Sequence, residues 1–112
     1  MDFIIDQGNN YTVVTTNVEK LNASNATELK GEFLVLSKNS VNNIVLDLSK
    51  TKYCDSSGLS AILVANRLCK DTNGVFILKG LQDGVKKLIQ IAQLDKVFNI
   101  IKDDSEIEAL IN

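Results

Sequence analysis

Apolar and polar positions follow two rhythms along this chain, and each change of rhythm marks a change of element. Phe3 to Ile5 and Tyr11 to Val18 read as two strands. In the second, Tyr11, Val13 and Thr15 alternate with Thr12, Val14 and Thr16, all good strand formers. Gly8-Asn9-Asn10 supplies turn chemistry between them, which predicts an antiparallel hairpin. Glu19 to Asn25 is polar around one apolar anchor, Leu21, and reads as a loop that delivers Asn22 or Ser24 as a helix N-cap. From Ala26 to Ser37 the period lengthens: Ala26, Leu29, Phe33 and Leu36 fall on one helical face. Asn39 to Asn43 then connects to a short apolar run, Ile44 to Leu48, of the length and composition of a buried strand.

The second half repeats the alternation of helix and strand. A helix is predicted from about Ser57 to Asp71, ending at Asn73-Gly74, where glycine suits a left-handed terminal residue. Leu59, Ile62, Leu63 and Asn66 share a face, and Ala61, Val64, Ala65 and Leu68 widen the apolar arc enough to expect cover on two sides. Val75 to Leu78 reads as a strand closed by Gly80, and Asp83 to Ala92 as a helix with Val85, Leu88, Ile89 and Ala92 on one face. Leu94 to Ile101 reads as a turn and a brief strand. Asp104 to Ile111 reads as a last helix capped by Asp103, Asp104 or Ser105. The order β-β-α-β-α-β-α-β-α predicts an α/β fold, one domain over residues 1–112 with a mixed β-sheet packed with about four α-helices. Leu46, Leu48, Ile62, Leu63, Ile77 and Leu88 are expected to form one core between sheet and helices.

Composition narrows the function more than the fold. A chain of 112 residues is long enough to bury about two-thirds of its unfolded surface, so it needs no staples. The net charge is −2 and the lysines are scattered among acids, which excludes the basic footprint of a nucleic-acid binder or a polybasic membrane anchor. The N-terminus lacks the pattern of a signal peptide, and no apolar run is long enough to span a bilayer. Cys54 and Cys69 have no metal-ligand spacing and form no disulfide framework, so a cytoplasmic protein with two free thiols is expected, with no metal and no cofactor. There is no histidine, which removes the usual general base and lowers the expectation of an enzyme.

The chemistry that remains gathers at the midpoint, in Tyr53-Cys54-Asp55-Ser56-Ser57-Gly58-Leu59-Ser60. Two hydroxyls and a carboxylate stand where a strand gives way to a helix, the end of the sheet where open α/β folds place their sites. Asp55, Ser56 and Ser57 are each competent N-caps. Gly58 reads either as a close approach of backbones or as the mere absence of a side chain. Cys54 has no basic neighbour to stabilise a thiolate and reads as a structural thiol.

Asp55-Ser56-Ser57-Gly58-Leu59, entered from a strand ending in Asp47-Leu48, resembles the signature of STAS domains, and of the bacterial anti-sigma factor antagonists among them. Val85-Lys86-Lys87-Leu88 and Leu94 to Ile100 are similar to the family's C-terminal pattern, so the resemblance covers nearly the full length. It implies a regulatory binding module without catalytic residues. Its partner would be an anti-sigma factor that is also a serine kinase, bound while Ser56 is free and released once Ser56 is phosphorylated, which regulates sigma-factor-dependent transcription. The partner face implied is Asn22, Asp55, Ser56, Ser57, Gly58 and Ser60, on a chain expected to be a monomer. At Leu21-Asn22 the sequence departs from the family pattern, which carries aspartate after the leucine; the size is kept and the charge is lost. Two other readings stand beside this one. The first is a scaffold or regulatory subunit of a bacterial lipid-transport ABC complex built on the same fold. The second is a small enzyme with Ser56 as nucleophile, for which no activating base is visible.

Overall fold

In the computed structural model, which describes residues 2–111, the two N-terminal runs pair as antiparallel strands with Phe3 opposite Thr16 and Gln7 opposite Thr12. They are β1 (Phe3–Gln7) and β2 (Thr12–Thr16), the second shorter at both ends than its alternation suggests. There follow β3 (Lys20–Leu21), α1 (Ala26–Lys38), β4 (Ile44–Asp47), β5 (Tyr53–Cys54) and α2 (Ser56–Asp71). The chain closes with β6 (Phe76–Lys79), α3 (Asp83–Ile91), β7 (Asn99–Ile101) and α4 (Ser105–Ile111). The main sheet has the order β1-β2-β4-β6-β7. Its first pair is antiparallel and the rest are parallel, so the sheet is mixed, as expected.

Period-two alternation divides the apolar residues between two faces. Val14, Leu46, Phe76 and Leu78 pack with Leu29 and Phe33 of α1, Ala61 and Ile62 of α2, and Val85 and Ile89 of α3. Val45, Ile77 and Ile101 form a second, smaller cluster with Ile107 of α4. Lys79 ties the start of that helix to the sheet through a 2.6 Å ion pair with Asp104.

The expected single core is therefore corrected in three places. Ile77 is buried but belongs to the opposite face from Leu46, because it follows Phe76 and precedes Leu78 along the strand. Leu63 is 37% exposed. The buried side of α2 is the Leu59, Ile62, Ala65, Asn66 and Cys69 stripe, and Leu63 lies one helical step beyond it. Leu88 is only partly buried at the margin of the larger cluster.

The end of α2 also differs from expectation. The left-handed residue is Asn73, at φ 60°, and not Gly74. Gly74 is required for another reason: a β-carbon there would overlap the backbone carbonyl of Asn42. Among the described residues no helix is long and apolar enough to cross a membrane.

Candidate functional site

Two short strands absent from the sequence-based prediction bring the midpoint and the Asn22 loop together. β3 and β5 pair in parallel, Lys20 with Tyr53 and Leu21 with Cys54. The Glu19 carbonyl accepts N–H bonds from Lys52 and Tyr53, and the Leu21 carbonyl accepts one from Asp55 at 3.2 Å. Beneath them, Thr16 and Thr51 are fully buried and share a 2.7 Å hydrogen bond between hydroxyls. The Thr51 hydroxyl also bonds the Val18 carbonyl at 2.7 Å. A buried hydroxyl without a partner costs about 1–3 kcal/mol, so this network fixes the two loops relative to each other.

Asp55 is the N-cap of α2. Its backbone is extended, and Oδ1 accepts N–H bonds from Ser57 at 2.9 Å and Gly58 at 3.1 Å. A helix starts with four N–H groups that have no partner within it. Here three of them, on Asp55, Ser57 and Gly58, are already bonded to the Leu21 carbonyl or the Asp55 carboxylate. The helix thus begins at Ser56, one residue earlier than the pattern suggests, and Ser56 is exposed while Ser57 and Ser60 are half-buried. Asp55→Ala should lower stability by about 1 kcal/mol, the usual worth of such a cap. Urea denaturation reads this as a lower midpoint with an unchanged slope; an unchanged midpoint would mean that the cap contributes nothing.

Gly58 is buried under this turn. A β-carbon would stand 2.7 Å from both Cys54 Sγ and the Leu21 carbonyl oxygen, which settles its two readings in favour of close approach. Burial pushes the Cys54 thiol up to about 12, with the Asp55 charge adding to the effect, so it stays protonated near neutral pH.

Asn22 caps no helix, and neither does Ser24. The N-cap of α1 is Asn25, which makes no side-chain cap bond. Asn22 instead closes its own loop: Oδ1 accepts from the Ser24 N–H at 3.0 Å and from the Ser24 hydroxyl at 2.6 Å. An amide oxygen does there what a carboxylate would, so the loop keeps its shape without the charge.

The candidate residues divide around the start of α2. Asn22 and Asp55 line one shallow bay with Lys20 and Tyr53. Ser56, Ser57 and Ser60 line another, with Thr27 and Lys30 of α1. Gly58 lies between and beneath. The approach of the Lys20 ammonium to within 6.0 Å of the ring centre of Tyr53, itself 56% exposed, and the presence of Lys30 were not anticipated. The signal for Lys30 was its place one turn after Thr27 on the polar side of α1.

Residues 4–107 match the family model described as STAS domain. BtrV of Bordetella bronchiseptica is 25% identical over 80 residues, which cover 71% of this chain and 69% of BtrV. A Thermotoga maritima protein assigned as an anti-sigma factor antagonist has the same fold at a TM-score of 0.85 and 25% identity, covering 97% of this chain and 93% of that one. The anti-sigma factor antagonist SpoIIAA in its unphosphorylated form superposes at 0.73 with 17% identity, over 96% and 93% of the two chains. Its phosphorylated form superposes at 0.74, with 16% identity over 96% and 97%. With the family model matching almost all the described residues, the chain belongs to the STAS domain family.

Proposed function

We propose that this protein is a cytoplasmic anti-sigma factor antagonist. In this reading it binds an anti-sigma factor with serine-kinase activity while Ser56 carries a free hydroxyl, and lets go when Ser56 is phosphorylated. The observation that carries the reading is the exposed Ser56 at the first position of α2, directly after its aspartate cap. A kinase must reach the oxygen that attacks the γ-phosphorus of ATP, with ADP leaving and the hydroxyl proton passing to a base on the kinase. Ser56 offers that access; Ser57, half-buried with its N–H held by Asp55, offers less. The chain is then a substrate and a binding surface, with no catalysis or cofactor of its own. SpoIIAA, an antagonist on the same fold with an unphosphorylated and a phosphorylated form, is a precedent for such a pair of states.

The partner surface proposed is Asn22, Asp55, Ser56, Ser57 and Ser60 with Gly58 as its floor, continued along α2 by Leu63. Leu63 is 37% exposed and lines a bay with Ser60, and an apolar side chain beside a polar site suits a protein partner.

Wild type and Ser56→Asp, each fixed to a resin, are offered a lysate of the native cell. An anti-sigma factor with an ATPase-type kinase domain should be retained by wild type and lost by Ser56→Asp. The retained complex, given MgATP, should place one phosphate on Ser56 by mass spectrometry. Transporter subunits held equally by both proteins would replace this reading with the scaffold one.

A further inference from the structure

The capping of α2 has a consequence for any phosphate on Ser56. An anion at a helix start ordinarily rests on free N–H groups. Here the Asp55 carboxylate has taken those of Ser57 and Gly58, and the Leu21 carbonyl has taken that of Asp55 itself. Of the four, this leaves the N–H of Ser56 itself, a single neutral donor. Asp55 is moreover a like charge, so a dianion on Ser56 must find its counter-charge elsewhere.

Beside Ser56 is an open bay of about 330 Å³ between the starts of α1 and α2, lined by the polar side chains of Thr27, Lys30, Ser56, Ser57 and Ser60. Lys30 is its single cation, and no carboxylate lines it among the described residues. The Asp55 carboxylate borders the neighbouring bay instead, with Lys20 and Tyr53. Lys30 is half-buried, and the residues three and four positions away on α1 are Ala26, Thr27, Phe33 and Leu34, so no helical ion pair competes for it.

Deepening the proposed regulation of Ser56, and resting on it for its biological meaning, we infer that this bay is a built-in phosphate seat. The Lys30 ammonium, helped by the hydroxyls of Thr27 and Ser60, holds the phosphoryl group of phospho-Ser56 over the α1–α2 junction. Lys30 is a positioning residue: it takes no part in the transfer and fixes where the transferred group rests.

The test installs phosphoserine at position 56 of the full chain by genetic code expansion, so no kinase is needed. The second ionisation of the phosphate, near about pH 6 in a free phosphomonoester, is followed by phosphorus NMR. A cation in the bay favours the dianion and lowers that pKa; the Asp55 charge opposes it in every variant alike. Lys30→Ala should raise the value by about half a unit, the effect of removing one partly screened ion pair. Lys30→Arg should keep it at the wild-type position. Lys38→Ala, about 12 Å further along α1 and beyond a screening length of about 8 Å, should leave it in place. A pKa indifferent to Lys30→Ala, or moved as much by Lys38→Ala, would overturn the phosphate seat. Either result is independent of whether a cellular kinase chooses Ser56, which the mapping experiment above decides.

Discussion

Phe76→Ala should lower the unfolding free energy by about 3–5 kcal/mol, the range for emptying a buried aromatic site. The Phe76 ring is 2% exposed and stands between two others. Its centroid is 6.3 Å from that of Phe33 at 85° and 6.2 Å from that of Phe98 at 70°. Edge-to-face pairs of this kind add about 0.5–1.5 kcal/mol beyond the area they bury. Truncation removes both pairs at once and opens a cavity between α1, the central sheet and the segment leading to β7. A domain of this size has about 5–15 kcal/mol in all, so the variant should be marginal. Leu63→Ala is the matched control. It deletes an apolar side chain from the same molecule, yet at 37% exposure it should stay within about 0.5 kcal/mol of wild type. Urea denaturation of the two variants ranks them. Equal midpoints would mean that the aromatic cluster is not where the stability lies.

The same pair of residues shows what the sequence made legible. Periodicity located every long element, because a helix or strand that buries one face must repeat its apolar residues at 3.6 or 2 positions. It could not count the covering layers. Leu63 and Ile62 are equally apolar, and only the position of α1 over α2 decides that one is inside and the other at the surface. Ile77 and Leu78 read as one buried run, yet α4 covers one and the three larger helices cover the other. At the site, the Asp55-Ser56-Ser57-Gly58 turn was legible because N-cap chemistry is local. The β3–β5 pairing was not: two-residue strands carry no period, and the pairing joins segments more than 30 residues apart, like the buried Thr16–Thr51 hydrogen bond, which spans 35. The place of Lys30 on the polar side of α1 was legible, but its proximity to Ser56 was not, since that depends on how two helices dock. Asn73 shows a subtler limit. Asn and Gly both tolerate left-handed backbone, and the choice between them was made by the Asn42 carbonyl, which leaves no room for a side chain at Gly74.

If the proposed switch holds, phosphorylation of Ser56 should weaken binding to the proposed anti-sigma partner about a hundredfold, equivalent to about 2.7 kcal/mol. The hydroxyl is exposed at the rim of the α1–α2 bay, where a partner can seal it with ordinary polar contacts. The phosphate adds about two negative charges to a chain whose net charge is −2, and places them next to Asp55. With the neighbouring N–H groups engaged by the cap, the dianion cannot withdraw into the helix start and stays on the surface the partner must cover. Lys30 offers one charge against two, so burying the dianion would still demand a further cation on the partner or the loss of its hydration, and a surface matched to a neutral hydroxyl is suited to neither. The fold itself need not change, because Ser56 is exposed and its side chain supports no packing. Titration calorimetry on the two forms with the captured partner measures the loss, and circular dichroism on the same samples should show one helix content for both. Equal affinities would sink the switch. A hundredfold loss accompanied by unfolding would replace it with a different mechanism, in which the phosphate breaks the Asp55 cap and melts the start of α2.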